Sequence, residues 1–269
     1  MLRVRPPAVA GTFYPRQPAE LSREVRNLLQ DAAFPPEPAP KAIIAPHAGY
    51  IYSGPIAASA YVRFLPARAR ITRVVLLGPA HRVPVDGLAL PGADGLATPL
   101  GVVPVDLPSI PLLARLEQVV ESPAAHELEH SLEVHLPFLQ TVLENFTVLP
   151  LVVGDATTND VADVLDQVWG GDETLIVVSS DLSHYLPYAT AKMVDRATAN
   201  GIVQLRGPIS HEQACGGTPV NGMLLAAQRH GLKCRLLDLR NSGDTAGDRS
   251  RVVGYGAFEF SPGSSNATH

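Results

Sequence analysis

Two histidines stand directly behind apolar runs that read as buried β-strands. One is His47 in Ala45-Pro46-His47-Ala48-Gly49-Tyr50, and the other is His81 in Gly78-Pro79-Ala80-His81. Neutral imidazole is the commonest protein ligand for zinc, iron and copper. Both residues lie in loops flanked by Gly and Pro, where the backbone can bring a side chain close to a small ligand. Their shared position at a strand end points to one common site rather than two local hydrogen-bonding roles. A third apolar run, residues 175–178, leads into Ser179-Ser180-Asp181-Leu182-Ser183-His184. There Asp181 is suited to orienting an imidazole, and His184 to serving as general acid or base beside a metal.

Three other patterns compete for the chemistry. A Ser-His-Asp hydrolase would need Gly-x-Ser-x-Gly around its nucleophile, and no Gly flanks Ser179, Ser180 or Ser183. His126-Glu127-Leu128-Glu129-His130 matches the zinc-protease spacing. However, Glu129 brings charge beside the central Glu, Pro123 leaves little helix ahead of His126, and no third ligand follows at a suitable distance. His126 and Glu127 are therefore expected at a solvated, capped helix start. Cys215, in Ala214-Cys215-Gly216-Gly217-Thr218-Pro219, precedes a helix, a setting that can depress a thiol pKa. As a thiolate it would complete a soft two-His, one-Cys set suited to iron(II), copper or zinc. The other cysteine, Cys234, reads as an inert strand residue, and two cysteines make no disulfide framework.

The elements that would position these groups alternate β and α. Residues 18–32 carry a helical stripe of Leu21, Val25, Leu28 and Leu29. Strands are expected at 41–45, 73–77, 146–153, 174–179, 236–239 and 252–260. Helices are expected from Gly54-Pro55 to Pro66, over 110–121, over 130–143 (whole or broken at Pro137), and over 159–169, 189–205 and 219–230. Residues 87–106, rich in Gly and Pro, read as a hairpin excursion. The pattern implies a single α/β domain over 1–260, with a mostly parallel central sheet flanked by helices, and a disordered Ser/Gly/Asn-rich tail at 261–269. Open sheets of this kind bind ligands beyond the carboxyl ends of their strands.

At 269 residues, with 46% hydrophobic and 17% charged content, the chain is ordinary globular material. A net charge of −5 argues against a nucleic-acid partner, which needs concentrated Lys and Arg. Every long apolar run is interrupted by Pro, Gly or charge, so no membrane span is expected. Met1-Leu2-Arg3-Val4-Arg5-Pro6-Pro7 lacks an apolar signal core, and a cytoplasmic protein is expected.

Eight segments in order resemble one family. They are Ala8-Val9-Ala10-Gly11-Thr12-Phe13-Tyr14-Pro15, the 45–50 and 78–81 runs, Thr98-Pro99-Leu100-Gly101, residues 129–138, 179–184 and 214–216, and Val253-Gly254-Tyr255-Gly256. Together they resemble the Memo family, including the microbial members called AmmeMemoRadiSam system protein B. The resemblance implies a fold similar to that of the class III extradiol dioxygenases, which open catechol rings with non-haem iron. It implies a site of two histidines and a cysteine, corresponding to His47, His81 and Cys215, with Asp181 and His184 beside it. The ring-cleaving relatives have a carboxylate where this chain has Cys215, and a thiolate favours softer metals. The resemblance further implies iron or copper binding and redox chemistry. In animal members it implies binding of phosphotyrosine peptides, and in microbial members work alongside an AMMECR1-like protein and a radical SAM enzyme.

The leading expectation is a metal-dependent redox or oxygenase-like enzyme acting on a small substrate. His47, His81 and Cys215 would hold iron(II), or alternatively copper, with His184 as acid/base oriented by Asp181. His130 and Glu133, with Tyr50, would line the pocket or hold the ligands in place, although His130 and Glu133 would equally form a helix salt link. A non-catalytic module binding a peptide or anionic ligand in the same pocket is the alternative, and zinc hydrolysis a third.

Overall fold

Four apolar runs lie side by side as parallel strands in the middle of a nine-stranded sheet. In spatial order they are Ala42–Ala45, Thr174–Ser179, Arg73–Pro79 and Thr147–Val153. This computed structural model describes residues 2–33 and 37–263, and statements about the whole fold refer to those residues. The central strands are covered on both faces, which is why they read as nearly unbroken hydrophobic runs. Their side chains alternate between two cores. Ile43, Val74 and Leu76 join one core with the helices Pro18–Asp31, Tyr50–Tyr61 and Leu136–Val142. Ile44, Val75 and Leu77 join the other, with Thr158–Gln167, Tyr188–Val203 and Gly217–Arg229. Each apolar side chain buried this way contributes about 1.5–3 kcal/mol relative to exposure.

The α/β class and single domain follow the expectation, but the sheet is mixed. Its centre is parallel, and pairing turns antiparallel on either side. Val252–Pro262 runs against Ala42–Ala45 and is itself paired with Leu232–Asn241 and His184–Leu186. Leu88–Leu90 runs against Thr147–Val153 and alongside Val119–Glu121. The expected hairpin forms from Gly95–Thr98 and Gly101–Pro104, and Val4–Arg5 adds to it in a separate three-stranded sheet.

Two sequence expectations need correction, and one pair of alternatives is decided. Only Ile110–Leu113 of the 110–121 segment is helical. Val119 and Val120 are β-branched and pair with Leu88 and Ala89 instead. The helix expected from Gly54-Pro55 starts earlier, at Tyr50, because the Tyr50 N–H finds the Phe13 carbonyl at 2.8 Å. Pro55 then sits inside the helix at the cost of one ladder bond. Of the alternatives for 130–143, the chain takes the broken one: a 3₁₀ turn Glu133–His135, then Leu136–Val142 with Pro137 in its first turn. The last strand runs through Ser261 and Pro262, and residues 264–269 of the expected tail lie outside the described residues. No helix among the described residues is long and apolar enough to cross a membrane.

Candidate metal centre

The three adjacent parallel strands Ala42–Ala45, Thr174–Ser179 and Arg73–Pro79 release their chains at one edge, where His47, Asp181 and His81 follow. This is the carboxyl-end position where open α/β sheets place their ligands. The turns are stitched across strands. Ser180 N–H donates to Ala45 O at 3.0 Å, and His47 N–H donates to Asp181 Oδ1 at 2.8 Å.

His47 is 2% exposed. Its Nδ1 lies 2.6 Å from Ser179 Oγ, and that hydroxyl spends its one proton on Ser131 O, also at 2.6 Å. The hydroxyl can therefore only accept from the ring, so His47 carries its proton on Nδ1 and presents a bare Nε2. Burial, then the neighbouring imidazoles of His81 and His130, holds its pKa far below the ordinary histidine range. His81 is set the same way. Its Nδ1 gives its proton to Glu129 Oε1 at 2.9 Å, and its N–H donates to Glu129 Oε2 at 2.6 Å. A carboxylate behind an imidazole is the usual device for fixing tautomer and raising ligand basicity.

Glu129 also accepts from the N–H groups of His130 and Ser131, each at 2.9 Å. Burial alone would raise its pKa, but the His81 imidazole and the backbone N–H groups of Ser131 and His81 hold it down to about 2. The residue that argues against a protease helix thus serves as the anchor of the cluster. His126, its expected partner in that pattern, is buried rather than solvated and points away, with Nε2 on Ala89 O at 2.8 Å.

His130 completes the group. The donor atoms of His47, His81 and His130 all lie within 4.8 Å of one another. The His130 ring stacks on Phe13 with centroids 4.8 Å apart. Burial pushes its pKa down to about 4. Its Nδ1 is buried without a hydrogen bond, with Glu129 Oε1 3.3 Å off.

Cys215 meets this trio at one corner, its Sγ 3.3 Å from His47 Nε2. It is delivered by a turn pressed so closely on the Thr174–Ser179 strand end that a Cβ on Gly216 would come within 2.6 Å of Ser179 O. The helix start does not depress the thiol pKa. Burial, followed by the Asp181 carboxylate, pushes it up to about 12. Cys234 lies in the strand Leu232–Asn241, and burial pushes its thiol pKa up as well.

The cluster floors a cleft of about 980 Å³ that His184, Asp181, Cys215, Phe13, Arg82 and Tyr185 help to line. His184 gives its Nδ1 proton to Leu182 O at 2.9 Å, leaving Nε2 free, and burial lowers its pKa. Its ring is therefore oriented by that carbonyl and not by Asp181, whose Oδ1 serves the His47 backbone. Burial raises Asp181 to about 7 against the N–H donors of His47 and Ala48.

Two expected pocket residues sit behind the site. Tyr50 is buried and donates to Val134 O at 2.6 Å. Glu133 pairs with Arg5, and its carboxylate also accepts from Ala8 N at 2.7 Å and from Val9 N at 3.0 Å. These contacts pin the segment that presents Phe13 to His130. Neither residue lines the cleft. Of the residues expected in the pocket, His130 does line the cleft, whereas Glu129 is legible only within a five-residue pattern that points to a protease helix.

The residues fit a first-row transition ion. Converging imidazoles, two of them with Nδ1 tied back to Ser179 and Glu129 so that Nε2 is bare, are what such an ion takes. Comparisons with known proteins agree on the family. A family model described as Memo-like protein matches residues 5–259. A MEMO1 family protein of Methanothermobacter thermautotrophicus is 36% identical over 94% of this chain and 98% of its own length. One from Aquifex aeolicus is 38% identical, also over 94% of this chain and 98% of its own length. The crystal structure of an uncharacterized protein from Escherichia coli K12 superposes with a TM-score of 0.53 at 13% identity, covering 80% of this chain and 98% of that one. At that identity the likeness speaks for the fold alone. With a match along nearly its whole length and relatives above a third identical, this chain belongs to the Memo family.

Proposed function

We propose that the chain is a metal-dependent redox or oxygenase-like enzyme acting on a small molecule bound in the cleft. Iron(II) is the expected ion and copper the alternative, held by His47 and His81 with Cys215 as the further donor. One observation carries the reading: two imidazoles, from strand ends on either side of Thr174–Ser179, converge with their Nδ1 atoms already committed to Ser179 and Glu129. Such a bound ion would supply Lewis-acid and electron-transfer chemistry. The chain's own residues do the rest. Ser179 and Glu129 fix the ligand tautomers, and Phe13 covers His130 and shields it from water. His184 Nε2, left free by the Leu182 carbonyl, is placed to take a proton from a substrate in the cleft and return it.

Replacing both imidazoles, His47→Ala with His81→Ala, removes the shared donors. Purified double variant is expected to be folded and to carry almost no bound metal, while wild type prepared without oxygen carries close to one ion per chain. Equal metal content in the two would defeat the reading. The alternative, a binding module for a peptide or anionic ligand, draws on Arg82 at the cleft wall. It predicts ligand binding that survives the double replacement.

A further inference from the structure

Behind the cleft, a run of buried aromatic side chains leads into the core and takes no part in holding the imidazoles. Ring centroids of Tyr14 and Tyr50 lie 5.6 Å apart, those of Tyr50 and Phe138 5.1 Å. Phe138 and Tyr61 follow at 5.0 Å, stacked within 9° of parallel. The near end adjoins the site. Phe13, which lines the cleft, precedes Tyr14 in the chain, and its carbonyl accepts from the Tyr50 N–H at 2.8 Å. The far end is Tyr61, wholly buried, with its hydroxyl 2.8 Å from His135 Nδ1. His135 Nε2 is buried without a hydrogen bond, which fixes the tautomer. A proton on Nδ1 would leave both the Tyr61 O–H and a bare Nε2 unpaired, whereas a hydroxyl donating to a bare Nδ1 orphans only the Nε2–H. The second arrangement wins, because each buried polar group without a partner is costly.

As packing, such a pair is poor, since two apolar side chains would fill the same space with no orphaned nitrogen. As chemistry it is apt. A phenol gives up an electron readily only where its proton has an acceptor, and burial keeps the His135 ring neutral and able to accept. A phenol that has lost an electron is a far stronger acid than a neutral one, so even a weakly basic imidazole takes the proton. Tyr50 lacks this outlet, because its hydroxyl donates to the Val134 carbonyl. Tyr14 donates to Glu133 Oε1 at 2.5 Å, but that carboxylate already serves Arg5, Ala8 N and Val9 N. We propose that Tyr61 and His135 form a redox-active pair that stores one oxidising equivalent, reached from the cleft through Tyr14, Tyr50 and Phe138. The oxidant is a one-electron acceptor arising in the cleft. The Tyr61 O–H bond breaks, its proton bonds to the Nδ1 lone pair, and one electron passes along the rings to the oxidant, which is reduced by one electron. Tyr61 becomes a neutral phenoxyl radical and His135 an imidazolium, and the returning electron brings the proton back. Burial keeps the radical from meeting another. The pair's service to the cleft rests on the redox reading above.

The test takes the full-length metal-free chain, oxidises it with a flash-generated ruthenium(III) tris-bipyridine complex, and reads frozen samples by electron paramagnetic resonance. Wild type is expected to give a tyrosyl signal that outlasts those of surface tyrosines. Its coupling to the proton held at His135 should vanish in protein prepared in deuterium oxide. Tyr61→Phe should lose the persistent signal, whereas Tyr188→Phe, which removes a hydroxyl that donates to Asp244 at the surface, should keep it. Should Tyr61→Phe not fold, His135→Gln serves: glutamine accepts the hydrogen bond but cannot take the proton, so the signal should form and decay quickly. Tyr50→Phe should lower the yield of the signal without shortening its life. No persistent signal in wild type, its survival in Tyr61→Phe, or an unchanged lifetime in His135→Gln overturns the pair, and an unchanged yield in Tyr50→Phe overturns the route. None of these results alters the metal content of the chain, so failure here is distinct from failure of the metal-centre reading.

Discussion

At the scale of single residues, the site is held by what stands behind its ligands. Glu129 accepts from His81 N, His81 Nδ1, His130 N and Ser131 N while 2% exposed. Glu129→Gln keeps the shape but turns one acceptor into a donor facing N–H groups. Metal affinity is expected to fall about tenfold to a hundredfold. Stability of the metal-free protein is expected to fall by about 1–3 kcal/mol. Chelator competition and urea unfolding measure the two separately, and unchanged metal affinity would show that His81 needs no anchor. His47 and His81 were legible in the sequence because each ends an apolar run, and the position of a residue after a buried strand survives folding. Glu129 was not, and His130 was legible as a pocket residue but not as a member of the donor group. Their local spacing pointed to a helix carrying both His126 and His130, whereas the helix Pro123–Glu127 ends before His130 and leaves it to the cluster.

At the scale of elements, the helix Gly217–Arg229 carries the Cys215 turn and packs on the helix Thr158–Gln167 through Gly222. A glycine inside a helix ordinarily costs about 1 kcal/mol relative to alanine. Here a Cβ would sit 2.2 Å from Val161 Cγ1 and 2.3 Å from Val161 Cβ. Overpacking should win: Gly222→Ala is expected to destabilise by about 1–3 kcal/mol despite its better helix propensity. A rise in denaturation midpoint would mean that the helices can part at little cost. Such close approaches are invisible in a sequence, where Gly222 reads only as a poor helix former. The helix starting at Tyr50 was misplaced for a related reason, since the Phe13 carbonyl that takes its first N–H lies far away in the chain. The central strands were read almost to the residue because burial on both faces leaves a signal that needs no partner to interpret.

At the scale of the whole molecule, the metal-free protein holds several imidazoles whose pKa burial lowers, and that fixes its response to acid. Burial holds His126 at about 4 despite the Ala89 carbonyl, His130 at about 4 and His135 at about 3, and it shifts His47 and His184 in the same direction. A base whose folded pKa is depressed stabilises the fold above its unfolded value near 6.5, and that stability is lost as pH falls toward the folded value. His126, His130 and His135 should therefore each contribute about 2 kcal/mol less at pH 5 than at pH 7. Asp181 works in the opposite sense. Its folded pKa, raised by burial to about 7 from 3.8, gives stability that is present at low pH and lost as pH rises through 7. It offsets about 2 kcal/mol of the histidine loss, and Asp195, also raised by burial, adds in the same direction. The histidines outweigh the carboxylates. Metal-free protein is expected to be about 4 kcal/mol less stable at pH 5 than at pH 7, a large share of the 5–15 kcal/mol typical of a domain. Urea unfolding at the two pH values measures the difference. Asp181→Asn, which keeps an oxygen for the His47 N–H but cannot ionise, should make the fall steeper. A stability that is flat between the two pH values, or an Asn variant that falls less than wild type, would show that these groups are not held in the protonation states their burial dictates.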